Sequence, residues 1–373
     1  MNRRGAFLGC LSLCSLFLLL FARAGEAGPA KAVLYKVGVM RRSFAPPEPY
    51  NWRGAKTHEL ITDVWYPAEK TAVEQAQWIG SPDNPFASAG KAAPDAPIVA
   101  APQKLPLILL SHGTGASSLM IAWLGTALAS HGFVAAAVNH PGNNALEPYT
   151  LQGFSLWSER ATDLSKVLDA LLADSTLGSR IDAKRVGAAG FSLGGFTVIE
   201  IAGGIAESSR YQAFCKSPKA DGMCVEPLEF PGISQQASEL AKTDPAFRAA
   251  LTEAAQSHRD PRILAIFAMA PALGPAFDPA SLAKISLPTQ IVAGADDKVV
   301  PIESSAKFFA AHIPGAQLTI MQAVGHYTFL ATCGQLGRTS RPELCLDNAG
   351  ILRDDIHTQT ADLAWHFFDA NLK

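Results

Sequence analysis

The chain has 373 residues, of which 48% are hydrophobic and 17% charged, with a formal net charge of −2. So apolar and nearly neutral a composition excludes a disordered chain, and the length is enough to bury one large core. It also gives no electrostatic reason to expect a nucleic-acid partner.

Arg3 and Arg4 precede an apolar run from Leu8 to Phe21, and Ala22-Arg23-Ala24 then offers a small-residue cleavage site, with Ala27 as a second candidate. Residues 1–24 are expected to be an export signal and residues 25–373 the mature chain, periplasmic or secreted. A membrane anchor is the competing reading, but a spanning helix needs about 20 apolar residues and this run is shorter. The signal would take Cys10 and Cys14 with it. Cys215, Cys224, Cys333 and Cys345 remain, and an even number in an exported chain points to two disulfides. Sequence neighbours pair most simply, Cys215–Cys224 and Cys333–Cys345, out of three connectivities. Zinc is the rival use of these cysteines, but no C-x-x-C or paired-histidine spacing supports it.

The first strand candidates are Val33 to Val39 and Glu59 to Tyr66. Residues 81–103 carry Pro82, Pro85, Pro94, Pro97 and Pro102, and are expected to be a surface connection. A different rhythm follows. Leu105 to Ser111, Phe133 to Asn139 and Arg185 to Phe191 are short apolar runs, as strands covered on both faces should be. Helical periodicity separates them, over Met120 to Ser130, Ser155 to Leu172 and Leu193 to Ile205. Ile263 to Ala270, Thr289 to Ala293 and Gln317 to Met321 complete the strands, with helices over Ser304 to His312 and Thr358 to Asn371. The alternation implies an α/β fold with a mostly parallel, doubly wound sheet. Residues 206–262 break it, with expected helices within 235–242 and 245–257. They are an insertion, either a helical cap over the active site or a peripheral decoration.

The most specific motif is Gly190-Phe191-Ser192-Leu193-Gly194-Gly195. Between a buried strand and an apolar helix, G-x-S-x-G is a nucleophile elbow, in which bulky neighbours would stop the sharp turn from closing. A serine hydroxyl is a poor nucleophile until a base takes its proton. In this context the partners follow in chain order, acid then histidine. Asp297, in the loop after Thr289 to Ala293, is the expected acid, with Asp296 as the alternative. His326, in Val324-Gly325-His326-Tyr327 after the last strand, is the expected base. Ser111-His112-Gly113-Thr114-Gly115 should supply the second oxyanion donor, the Thr114 N–H joining that of Leu193. Of the other histidines, His140 follows a strand and could line the pocket beside Phe191. Arg160 and Asp163 are expected to form a local ion pair. No cofactor or metal is called for.

These residues together, with Asp63-Val64-Trp65-Tyr66-Pro67 upstream, resemble the platelet-activating-factor acetylhydrolases and the bacterial proteins loosely labelled dienelactone-hydrolase-like, all of the α/β-hydrolase superfamily. The resemblance implies a calcium-independent serine hydrolase with its oxyanion hole at Thr114 and Leu193, acting on short or oxidised acyl esters, including phospholipid-type esters. True dienelactone hydrolases carry a cysteine nucleophile, and here the elbow carries Ser192. The insertion has no counterpart in the resemblance. The reaction expected is two-step hydrolysis of a small ester. The alternatives are a polymeric ester or an activated C–C bond, such as a β-diketone, with the same triad, or a non-catalytic binding protein on this scaffold.

Overall fold

Short apolar runs become strands here because both of their faces are covered. In Leu105–Ser111, Leu107 and Leu109 enter one hydrophobic layer while Ile108 and Leu110 enter the other. Side chains alternate across a strand, so such a run must be sandwiched between helices. Each large aliphatic side chain buried this way contributes about 1.5–3 kcal/mol relative to exposure. The helices Glu159–Ala173 and Leu193–Ile201 supply residues to the first layer, and Ala122–Ser130 and Arg353–Asn371 to the second.

This computed structural model describes Met1 and residues 34–101 and 103–373. The expected signal, residues 1–24, thus lies outside the described residues apart from Met1. The strands are β1 (Lys36–Phe44), β2 (Leu60–Ala68), β3 (Gln75–Ser81), β4 (Asn84–Pro94), β5 (Leu105–Ser111), β6 (Val134–Val138), β7 (Ile181–Phe191), β8 (Ile263–Met269), β9 (Thr289–Gly294) and β10 (Gln317–Met321). They form one sheet in the order β10-β9-β8-β7-β5-β6-β2-β1-β4-β3. From β6 to β10 every neighbouring pair is parallel, and β2 joins β6 antiparallel. The sheet is mostly parallel and covered on both faces, as the alternation implied, and the fold is the α/β-hydrolase fold that the resemblance implied.

The expected surface connection at 81–103 is corrected: it contains β4, paired antiparallel with β3 and parallel with β1. Pro85 and Pro94 sit near its ends, where a missing N–H does least harm. Its buried side chains are Ala87, Ala89, Ala92 and Ala93, small enough to admit neighbours closely. Ser88 N–H donates to Thr332 O at 2.9 Å, and Gly90 lies against Thr126.

The insertion carries short helices at Ser208–Cys215, Ile233–Thr243 and Pro245–Glu253. Cys215–Cys224 closes a bridge within it, and Cys333–Cys345 a second one after the last strand. Among the described residues no helix is long and apolar enough to cross a membrane.

Candidate active site

Ser192 follows directly on β7 and precedes the helix Leu193–Ile201. Its backbone sits at φ 57° and ψ −117°, a conformation that L residues rarely adopt and that costs about 1–3 kcal/mol. The chain holds it there by bonding both backbone groups. Ser192 N–H donates to Met269 O at 2.9 Å, and Ser192 O accepts from Phe196 N–H and Ala272 N–H. The neighbouring glycines are a steric requirement. A Cβ on Gly194 would stand 1.9 Å from Ser111 O, and one on Gly190 would stand 2.1 Å from Gly194 O.

The loop after β9 brings Asp297 to the same rim. Its Oδ1 accepts the N–H groups of Val299 and Val300 at 3.0 and 2.7 Å, which fixes the carboxylate. Its Oδ2 lies 2.7 Å from His326 Nδ1, and His326 Nε2 lies 3.0 Å from Ser192 Oγ. A carboxylate on Nδ1 requires the proton there, so Nε2 is the lone-pair nitrogen facing the hydroxyl. Asp296, the alternative acid, is exposed and accepts instead from Asn348 Nδ2 at 3.1 Å. Phe191 is buried, its ring 4.8 Å from that of His326, and forms a floor under the imidazole.

The N–H groups of the two expected oxyanion donors are both uncommitted among the described residues. Leu193 opens the nine-residue helix, and its N–H has no acceptor among the described residues, as is usual in a first turn. Thr114 N–H likewise has none, whereas Gly115 N–H is taken by Asn143 Oδ1 at 2.8 Å.

His140 does not line an open pocket. It is wholly buried, with Nδ1 2.8 Å from Asp163 Oδ2 and Nε2 2.9 Å from Ser111 Oγ. Burial, reinforced by the nearby Arg160 charge, pushes its imidazole down to about 3. The expected Arg160–Asp163 pair is corrected too. Asp163 pairs with Arg53 Nη2 at 2.8 Å and also accepts from Tyr50 Oη. Burial alone would raise its carboxyl, but the Arg53 charge and the His140 and Tyr50 hydrogen bonds outweigh that and hold it at about 2. Arg160 turns instead to the oxyanion loop, donating to His112 O, to Ser111 Oγ at 3.3 Å and to Asn143 Oδ1 at 3.4 Å. Burial pushes its guanidinium down to about 9.

Arg53, Tyr50 and Asn143 had no signal of their own in the sequence. The readable hint was two charges, Arg160 and Asp163, set among the buried residues of an otherwise apolar helix stripe. A charge on such a stripe must find buried partners.

The insertion touches both ends of this arrangement. Glu229 packs on Gly115, where an added Cβ would stand 2.9 Å from its Cγ. Asp221 accepts from Ser304 Oγ beyond the acid loop, and Gly222 lies against Lys298 O. No cluster suited to a metal ion occurs among the described residues.

A parallel sheet carrying a strained serine at a strand–helix turn, with histidine and acid on later loops, defines the α/β-hydrolase class. The model of the Alpha/beta hydrolase family matches residues 107–336, and the chain belongs to that family. Over 82 residues, 22% of this chain and 23% of the other, it is 39% identical to Lipase 1 of Moraxella sp. (strain TA144). It is 36% identical to Cutinase est1 of Thermobifida alba over 26% of this chain and 29% of that one. With the platelet-activating factor acetylhydrolase of Cavia porcellus it shares 27% identity over 35% and 36% of the two chains. The matched segments thus span about a quarter to a third of these relatives. A solved ferulic acid esterase from Streptomyces cinnamoneus superposes with a TM-score of 0.59 at 20% identity, covering 93% of this chain and 92% of that one; that likeness concerns the fold.

Proposed function

We propose that the chain is an exported serine hydrolase of carboxylic esters, with Ser192 as nucleophile, His326 as general base and Asp297 as the group that fixes the imidazole tautomer. Ser192 Oγ attacks the ester carbonyl carbon as its proton passes to His326 Nε2, and the carbonyl oxygen becomes an oxyanion between the N–H groups of Thr114 and Leu193. The intermediate collapses, the C–O bond to the alcohol breaks, and the alcohol leaves with the proton from His326. Water, deprotonated by the same imidazole, then releases the acid and restores Ser192. Each oxyanion donor contributes roughly 3–4 kcal/mol to such a transition state.

The observation that carries this reading is the continuous path from Ser192 Oγ through His326 to Asp297, 3.0 and 2.7 Å long. Sequence similarity to a lipase, a cutinase and a platelet-activating factor acetylhydrolase supports ester chemistry. The two disulfides support an oxidising, extracytoplasmic setting, with residues 1–24 as the removed signal. Residues 206–262 serve as a cap, a role supported by the contacts of Glu229 and Asp221 with the oxyanion and acid loops. The cap exposes Val225 and Leu228 in a way that suits an apolar substrate, small or polymeric. Purified mature protein, assayed on chromogenic esters of graded chain length beside an insoluble polyester, tests the reading. Turnover of any ester that survives Ser192→Ala would overturn it.

A further inference from the structure

The peptide planes around Thr114 are pinned by side chains that take no part in the proposed proton transfers. In a trans peptide the N–H and C=O point in opposite directions, so fixing one aims the other. Gly113 O accepts from His112 Nδ1 at 2.7 Å and from Ala116 N–H at 3.3 Å, which turns the Thr114 N–H the other way. On the next plane, Gly115 N–H is held by Asn143 Oδ1 at 2.8 Å. On the preceding plane, His112 O accepts from Arg160 Nη2, whose other amino nitrogen reaches Asn143 Oδ1 at 3.4 Å. One guanidinium therefore ties both flanks of the donor together. Asn143 is itself anchored, its Nδ2 donating to Gly153 O at 3.2 Å.

Arg160 is an expensive way to achieve this. It is 1% exposed and forms no ion pair with a carboxylate among the described residues, and its Nε has no hydrogen-bond partner there. A buried, unpaired cation is costly, so a merely space-filling side chain would serve the core better. What the arginine adds is a planar fork able to bond a backbone carbonyl and a side-chain amide at once. His112, pushed well below the usual histidine range by burial and by Arg160, stays neutral. Its Nδ1 proton thus remains on Gly113 O while Nε2 accepts from His140 N–H at 3.3 Å.

We propose that Arg160 is a positioning residue for the oxyanion hole: by bonding His112 O and Asn143 it holds the Ser111–Gly115 loop with the Thr114 N–H aimed at the site above Ser192. This rests on the esterase reading, since an oxyanion hole matters only to acyl transfer. A preformed donor acts mainly in the transition state, so its loss should fall on kcat and leave ground-state binding nearly intact.

The test compares wild type, Arg160→Met, Arg160→Lys, Asn143→Ala and Ser192→Ala on one chromogenic ester, with melting curves to establish folding. Each is also titrated with an alkylboronic acid, which forms a tetrahedral adduct mimicking the intermediate. Arg160→Met is expected to lower kcat by about 10–100-fold, somewhat less than removal of a whole donor, with KM within about threefold. Its boronate affinity should fall by the same factor as kcat/KM. Arg160→Lys, which keeps a cation but not the fork, should recover only part of the loss. Should Arg160→Met fail to fold, Asn143→Ala carries the test, because it frees Gly115 N–H and leaves the arginine in place. Folded variants with kcat and boronate affinity within threefold of wild type, or a loss confined to KM, would overturn the proposal. The underlying reading fails separately, through persistence of turnover in Ser192→Ala.

Discussion

Two clusters of the same three side-chain types touch the Ser111–Gly115 loop, and the contrast between them shows what geometry alone does not decide. In one, His326 stands between Asp297 and Ser192; in the other, His140 stands between Asp163 and Ser111, with nearly equal distances. The differences lie around them. Ser192 occupies a strained turn ahead of the uncommitted Leu193 N–H, whereas Ser111 is the last residue of β5, in register with Gly190 and fully buried. His140, pushed down to about 3, is too weak a base to take a proton from a hydroxyl at neutral pH. A histidine between an acid and a serine becomes a catalyst only with access and open donors; buried among cations, it becomes a strut.

The widest separation of the clusters should appear in turnover. Ser192→Ala is expected to cost about 10⁴-fold or more in kcat, whereas Ser111→Ala, removing only a strut, should cost less than about tenfold. Steady-state kinetics on one soluble ester compares the two. Next, Gly194→Ala would drive a Cβ against Ser111 O, a backbone atom that cannot swing away. Overpacking against backbone should cost about 2–4 kcal/mol in denaturant unfolding, and the displaced elbow should lose activity as well.

The disulfides sharpen the comparison of site and surroundings. Their sequence separations are 9 and 12, so each should contribute about 3 kcal/mol by restricting the unfolded chain. Their effects on catalysis should differ. Replacing Cys333 and Cys345 by serine should lower kcat, because that bridge steadies the chain just after His326. Replacing Cys215 and Cys224 should change KM, because that bridge lies in the segment proposed as a cap.

Taken per residue, acid stability is the smallest effect. His140 and His357, pushed by burial down to about 3 and about 4, stay neutral in the folded protein while the unfolded chain protonates near 6.5. Their cost to stability is absent above pH 6.5 and grows as pH falls toward those values. Each should remove about 1.4 kcal/mol per pH unit in that window. Asp163, held at about 2, works in a lower window: its stabilisation is present above the unfolded carboxyl range and lost as pH falls from about 4 toward 2. Urea unfolding at pH 7 and pH 5 should show a loss of about 2 kcal/mol per buried histidine, and His357→Gln should remove one share.

The parallel half of the sheet was legible because its strands are continuous apolar runs between helical stripes, and the elbow motif because its glycines stand between a buried strand and an apolar helix. β4 was not legible. Its Pro85 and Pro94 and its alanines resemble a linker, and only pairing with β3 and β1 makes them a strand. Of the two acids in the loop after β9, Asp297 lies against His326 and is bonded by Val299 and Val300, while Asp296 is exposed. The strut was illegible for a different reason: Tyr50 and Arg53 lie more than a hundred residues from Asp163 and carry no local pattern.

Adduct mapping on the purified protein tests the central claim most directly, by treatment with a fluorophosphonate, proteolysis and mass spectrometry of every serine-containing peptide. The account predicts a single adduct, on Ser192, formed far more slowly after His326→Ala and in step with loss of ester turnover. An adduct on Ser111, or ester hydrolysis that continues after Ser192 is fully labelled, would contradict it.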